Sequence, residues 1–353
     1  MQRCGLLDYG SFRQQAIRAV HSHHYPGRCF SMGLIPNSIG AISRNSCFRQ
    51  GVRRAIASCE ARADPQVYFT VEDFRRARRS LPREAKVGFV PTMGAFHEGH
   101  LDLFRRARSD CDVVVGSVFV NPLQFGPQED FGRYPRILES DVGKLAAKGL
   151  ADLVFAPGMD AMYSPSHRLY VDPVGFDDLP EGSARPGFFR GVATVVIKLF
   201  NVVQPDYAYF GQKDALQCVL VRRLIEDLNV PVQLVVCDTK REPDGLAMSS
   251  RNAYMSPAER SAAPVVFRAL RAAAEERDRA VAAARYATRE ELIREAEVVL
   301  SSEPLVTSVE YLSVASLSTM EEIEKVGNAG ANVSVALRLG SVRLIDNIVL
   351  PPL

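Results

Sequence analysis

Along this 353-residue chain, hydrophobic positions fall into two regimes that change near residue 240. Apolar runs at 87–90, 113–120, 153–155, 207–210 and 232–237 are short and nearly continuous, the pattern of strands buried on both faces. Between them lie stretches with helical spacing at 100–109, 137–148, 192–203 and 215–229; Leu101, Phe104 and Ala107 recur at three-residue steps in the first. Strands alternating with helices predict an α/β fold built on a doubly wound parallel sheet. Beyond residue 240, two charged helical stretches at 258–284 and 288–300 precede strand-like runs at 309–314, 332–339 and 342–349. This order predicts a smaller C-terminal α+β domain with an antiparallel sheet. The expected divisions are 1–64, 65–239 and 240–353.

The first 64 residues have no clean period. They hold nine arginines, no lysine and three acids (Asp8, Glu60, Asp64), a net +6 in a chain whose total is +2. The remainder is therefore mildly acidic, which argues against a nucleic-acid binder. An Arg- and Ser-rich, acid-poor start has the composition of a mitochondrial transit peptide, and equally of a disordered extension. Cytoplasmic location is the expectation, with mitochondrial targeting through 1–64 as the alternative. No apolar run approaches the ~18 residues of a membrane span. The seven cysteines form no CxxC pair, and Cys111, Cys218 and Cys237 sit in apolar runs as free thiols. No structural metal is expected.

In an open parallel sheet, ligands bind beyond the carboxyl ends of the strands. Four polar segments follow predicted strands and should converge there: PTMGAFHEGH (91–100), Asn121 to Phe125, Gly211-Gln212-Lys213-Asp214 with Gln217 one turn on, and 239–251 ending Met248-Ser249-Ser250-Arg251. Only three of the six histidines lie beyond residue 64, and His97 and His100 are two of them. Three apart at a helix start, beside Gly94 and Gly99, they meet backbone N–H groups and a dipole that attract phosphate; the dipole should also lower their pKa values. Lys213 offers a point charge to phosphate. Ser249, Ser250 and Arg251 form a hydroxyl-plus-guanidinium loop, and Gly245 is a candidate hinge beside it. The neutral amides Gln124 and Gln217 suit hydroxyl and carboxylate oxygens. An ATP site serving adenylation of a small carboxylic acid is the reading these segments support.

The segments PTMGAFHEGH, FVNPLQF, YPR, RPGFFRGVATVV, FGQKD, DGLAMSSRN and RLIDN resemble the pantoate–β-alanine ligase (pantothenate synthetase) family, from about residue 66 to the C-terminus. That family belongs to the Rossmann-like HxGH nucleotidylyl-transferases. The resemblance implies condensation of pantoate with β-alanine through pantoyl adenylate, with ATP as substrate and Mg²⁺ as its companion ion, in a homodimer. It makes 65–239 the ATP- and pantoate-binding domain and 240–353 a lid. It assigns catalysis to His100, His97 and Lys213, and ATP binding to Met93, Gly94, Ala95, Phe96, His97, Glu98, Gly99, His100, Gly211, Gln212, Lys213, Asp214, Lys240, Met248, Ser249, Ser250 and Arg251. Gln124 and Gln217 would bind pantoate, Gln124 also β-alanine, and Phe119, Phe125, Val195 and Val196 would wall the apolar pocket.

Three positions depart from the family pattern: Gln212 stands where glutamate is usual, Phe188 where histidine is usual, and Lys240 where a small residue is usual. Two other classes stay open, a nucleotidylyl-transferase with a phosphate-bearing acceptor and a non-catalytic ATP-binding scaffold. Neutral Gln124 and Gln217 disfavour the first, and the complete His97, His100, Lys213, Ser249 and Arg251 set disfavours the second.

Overall fold

A computed structural model describes residues 64–126 and 129–353. The expectation for residues 1–64, an extension or targeting segment, lies outside these residues except for Asp64. The described residues form one compact unit.

Six strands form a wholly parallel sheet: β1 (Gln66–Tyr68), β2 (Val87–Thr92), β3 (Val113–Val118), β4 (Leu153–Phe155), β5 (Tyr207–Gly211) and β6 (Gln233–Cys237). Their spatial order is β1-β4-β3-β2-β5-β6. From β2 the chain winds outward through β3 to β4, then crosses over to β5 and β6. The direction of winding therefore reverses beside β2, where β2 and β5 pair at Gly88↔Tyr207 and Phe89↔Ala208. At such a switch point the loops leaving adjacent strands diverge and open a crevice.

Helices α1 (Val71–Ser80), α2 (Glu98–Asp110), α3 (Leu138–Ala147), the short α4 (Met159–Met162) and α5 (Pro180–Ala184), α6 (Phe188–Val203) and α7 (Ala215–Asp227) connect the strands. They cover both faces of the sheet. Phe89, Phe155, Phe189, Leu199 and Leu216 belong to the core on one face, and Val90, Phe96, Phe104, Leu145 and Val154 to that on the other. Burial on both faces is why the strands read as continuous apolar runs.

A third core fills the C-terminal region. There α8 (Pro257–Ala262), α9 (Val265–Ala282) and α10 (Arg289–Ser301) accompany a small ladder of β7 (Ala287–Thr288) with β9 (Lys325–Val326), and an antiparallel sheet ordered β11 (Val342–Leu350), β10 (Ala331–Leu339), β8 (Val306–Ala315). Two expectations need correction. The single helix expected at 258–284 is two helices, because Pro264 has no N–H to continue the ladder and instead stands as N-cap of α9. The sheet also has an edge strand, β1, and a following helix, α1, that the apolar pattern did not reveal. β1 is three residues long, and α1 buries only Phe74 among its charged residues.

Candidate active site

The loop leaving β2 is held from beneath. Gly94 and Ala95 both adopt left-handed backbone, φ +89° and +54°. For alanine this conformation costs about 1–3 kcal/mol and persists only when the surroundings enforce it. The wholly buried carboxylate of Asp141, on α3, accepts the N–H groups of Ala95 at 2.7 Å and Phe96 at 2.8 Å. Lys144, one turn along α3, lies 3.6 Å from that carboxylate and donates to the Phe96 carbonyl at 2.7 Å. Asp141 was not among the residues singled out by sequence; beside Glu139 in the first turn of a helix it looks like a surface residue.

This turn delivers His97 to the N-cap of α2. Its Nδ1 accepts the Gly99 N–H at 3.1 Å, while its own backbone N–H points to Nδ1 of His100 at 3.4 Å. The two imidazoles thus form a reciprocal capping box. With each Nδ1 accepting, the remaining proton of each neutral ring sits on Nε2. The ring centroids are 4.1 Å apart. The His97 pKa falls to about 4, through burial first, then the charges of Lys213 and Lys144. That of His100 falls to about 3, through burial, then His97 and Lys213. Both values are lowered, with burial as the largest cause. Both rings are neutral N–H donors.

Lys213 follows β5, and its loop is gripped by the C-terminal sheet. Nδ2 of Asn347, on β11, donates to the carbonyls of Gln212 and Lys213, each at 2.9 Å. Its Oδ1 accepts from Gln212 Nε2 at 3.2 Å and Asn332 Nδ2 at 3.1 Å. Asn347 therefore makes all four bonds open to an amide. Next to it, Asp346 takes a bidentate pair from Arg241 at 2.6 and 3.0 Å, tying in the loop after β6. Gln212, where the family resemblance leads one to expect glutamate, contributes a donor to this network that a carboxylate lacks.

In the 239–251 segment, the Lys240 carbonyl accepts the Met248 N–H at 2.9 Å and the Lys240 ammonium pairs with Asp102 at 2.9 Å. Ser249 caps the 3₁₀ turn Ser250–Tyr254. Arg251 forks onto Asp130 at 3.1 and 2.8 Å, and Ser250 meets the Tyr134 hydroxyl at 3.4 Å. Gly245, the candidate hinge, has φ +93°, and an added Cβ would lie 2.4 Å from the Phe267 ring; it is a tightly packed turn.

Beyond the histidines, Gln124 donates through Nε2 to Met93 Sδ at 3.1 Å. Phe188 carries the Arg185 guanidinium 3.5 Å above its ring, and Arg185 forks onto Glu129 at 2.8 and 2.7 Å. The position where histidine is usual thus seats a cation on an aromatic face.

These groups share one cavity of about 610 Å³. Its lining includes Met93, His97, Gly99, His100, Gln124, Gly211, Lys213, Asp214, Gln217, Lys240, Met248, Ser249, Ser250 and Arg251, with Phe119, Phe125, Phe188, Val195 and Val196 as apolar wall. Gly94, Ala95, Phe96, Glu98 and Gln212 are not part of the lining. The first three are buried beneath it, Glu98 faces outward to Arg105, and Gln212 turns to Asn347. Asp130, Tyr134 and Arg185 do line the cavity; the sequence motifs contain or adjoin them, but nothing in the local pattern marked them out.

A parallel sheet with a histidine-capped helix at its switch point, faced by a lysine and a Ser-Ser-Arg loop, defines a nucleotide-binding α/β protein of the HxGH class. The Pantoate-beta-alanine ligase family model matches residues 66–349, and the chain belongs to that family. It is 52% identical to the pantothenate synthetase of Chloroflexus aggregans, over 80% of this chain and 98% of that protein. Its fold is similar to the crystal structure of pantothenate synthetase from Thermus thermophilus, with TM-score 0.74 and 46% identity over 81% of this chain and 100% of that one. It also resembles the pantoate-beta-alanine ligase of Francisella tularensis complexed with beta-gamma ATP and beta-alanine, with TM-score 0.66 and 31% identity over 81% and 97% of the two chains.

Proposed function

We propose that the chain condenses (R)-pantoate with β-alanine, consuming ATP and releasing AMP and pyrophosphate. The observation that carries this reading is a single cavity lined both by neutral, Nε2-protonated histidines and Lys213 and by Gln124, Gln217 and an apolar wall. The triphosphate lies at the start of α2, where His97, His100 and Lys213 stabilise negative charge on the α-phosphate and the departing pyrophosphate. Ser249, Ser250 and Arg251 close over the phosphates, with Arg251 leaving Asp130. Pantoate places its gem-dimethyl carbon against Phe119, Val195 and Val196 and its oxygens on Gln124 and Gln217. Its carboxylate oxygen attacks the α-phosphorus; the bond to the bridging oxygen breaks, and pyrophosphate leaves with the electron pair. The β-alanine amine then attacks the activated carbonyl, AMP leaves from carbon, and the amine loses a proton.

Mg²⁺ accompanies the triphosphate. Among the described residues no cluster of three or more metal-ligating side chains exists, and the carboxylates of Glu129, Asp130 and Asp346 each face a guanidinium. The phosphate oxygens would therefore supply most of the ion's ligands. We also propose a division into a catalytic domain (65–239) and a lid (240–353), a homodimer, and a cytoplasmic location. A reporter fused to residues 1–64 should stay diffuse; mitochondrial accumulation would reverse the last point.

The direct test of the site is His100→Ala. Pantoate-dependent pyrophosphate release should fall by about two orders of magnitude or more in a protein that still folds. Unchanged release would remove His100 from the catalytic set.

A further inference from the structure

The amide of Gln124 has a direction imposed from behind the cavity wall. Its Oε1 accepts from Asn121 Nδ2 at 3.0 Å, which leaves the NH₂ group facing Met93 and the cavity. Asn121 is 1% exposed and, like Asn347, makes all four bonds open to it. Its second Nδ2 hydrogen goes to the Gly191 carbonyl at 3.1 Å. Its Oδ1 accepts the Leu123 N–H at 3.3 Å and the Tyr163 hydroxyl at 2.9 Å, the shorter of the two. Gly191 is what lets α6 come this close, since an added Cβ there would sit 2.1 Å from the Leu123 carbonyl oxygen.

We propose that Tyr163 is a positioning residue for recognition of the acid substrate: its hydroxyl, together with the Leu123 N–H and the Gly191 carbonyl, holds the Asn121 amide that sets which way Gln124 faces. The chain of donors runs in one direction, Tyr163 O–H to Asn121, Asn121 N–H to Gln124, Gln124 N–H to the cavity. Flipping the Asn121 amide would set its NH₂ against the Leu123 N–H and its oxygen against the Gly191 carbonyl, and flipping Gln124 would set two NH₂ groups together, which is costly where water cannot enter. Burial pushes the Tyr163 hydroxyl above its ordinary pKa, so it stays a donor across the physiological range. The cavity lining includes Gln124 but neither Asn121 nor Tyr163. The tyrosine ring is held independently of its hydroxyl, by Phe119 at 6.1 Å, His167 at 5.1 Å and the Lys198 ammonium 5.4 Å from its centroid. The consequence for specificity is that the amide offers hydrogens, so the substrate must bring a hydroxyl or carboxylate oxygen to this point.

The inference rests on Gln124 binding the acid, and the test separates the two. Tyr163→Phe keeps the ring packing and removes one donor. It should raise KM for pantoate about fivefold, the scale of one net hydrogen bond, with kcat, KM for ATP and melting temperature near those of the parent. Combined with Gln124→Ala, the same change should cost nothing further in kcat/KM for pantoate, because the group it acts through is gone. Unchanged KM for pantoate in Tyr163→Phe would overturn the proposal. So would an equal loss in the presence and absence of Gln124, or a loss shared by both substrates together with a lower melting temperature. If Gln124→Ala itself left kcat/KM for pantoate intact, the assignment of Gln124 would fail first, and the role of Tyr163 with it.

Discussion

His97 and His100 serve the helix and the chemistry with different nitrogens. Each Nδ1 caps α2, and each Nε2–H is left for the ligand. Both pKa values lie well below that of a free histidine, at about 4 and about 3. The unfolded chain therefore takes up protons near pH 6.5 that the folded chain refuses. The stabilisation from burying neutral rings is complete above that pH and is lost as pH falls through 6.5 toward 4. Between pH 6.5 and 5 the urea midpoint should shift downward more for the parent chain than for His100→Ala, while Glu181, whose burial raises its carboxyl to about 7, titrates alike in both. Equal slopes would assign the loss to other groups. For the same reason kcat/KM for ATP should show no step near pH 6.5 from this pair. The histidines were legible in the sequence because histidine is scarce after residue 64 and these two flank a glycine behind a strand. Asp141 was not, because its role lies in what it accepts from Ala95 and Phe96, more than forty residues earlier. The same holds for Tyr163, whose hydroxyl reaches the site through Asn121.

Among the elements, the loop after β5 shows how far local pattern reaches. FGQKD was recognisable as a strand end with a phosphate-seeking lysine, but the group that fixes it, Asn347, lies 134 residues away from Lys213. Asn347→Ala would strip the Gln212 and Lys213 carbonyls of their shared donor. Leaving such groups unpaired should cost about 2 kcal/mol of stability and loosen Lys213. Denaturant unfolding should report the first effect and a raised KM for ATP, with KM for pantoate little changed, the second. A parallel rise in both constants would mean that Asn347 supports the whole cavity and not the lysine loop. Helix boundaries were legible to within a few residues where a cap or a proline marks them. The break between α8 and α9 was missed because alanine and charged residues continue a helical period across Pro264, and periodicity is blind to a missing N–H.

On the scale of the whole molecule, the alternation of apolar runs and helical stretches was enough to specify the parallel sheet, and the sheet predicted that its strand ends would meet. They do meet, in the crevice where winding reverses between β2 and β5. What the alternation did not contain is the part played by the C-terminal sheet. Its β11 reaches back through Asp346 and Asn347 to the loops after β6 and β5, so it braces those loops as well as lining the cavity. Gln124 and its donor chain stand between the loop after β3 and α6. On the proposed reading one cavity holds both the groups that recognise a carboxylate and those that activate it, and activation through an adenylate should proceed before any amine arrives. The measurement that tests this most directly is pyrophosphate release from ATP in a single turnover without β-alanine. The expected result is a burst that requires pantoate and approaches one pyrophosphate per active site, with AMP and pantothenate appearing only when β-alanine is added. No burst with pantoate, or a burst of the same size without it, would contradict the assignment of this cavity to pantoate adenylation.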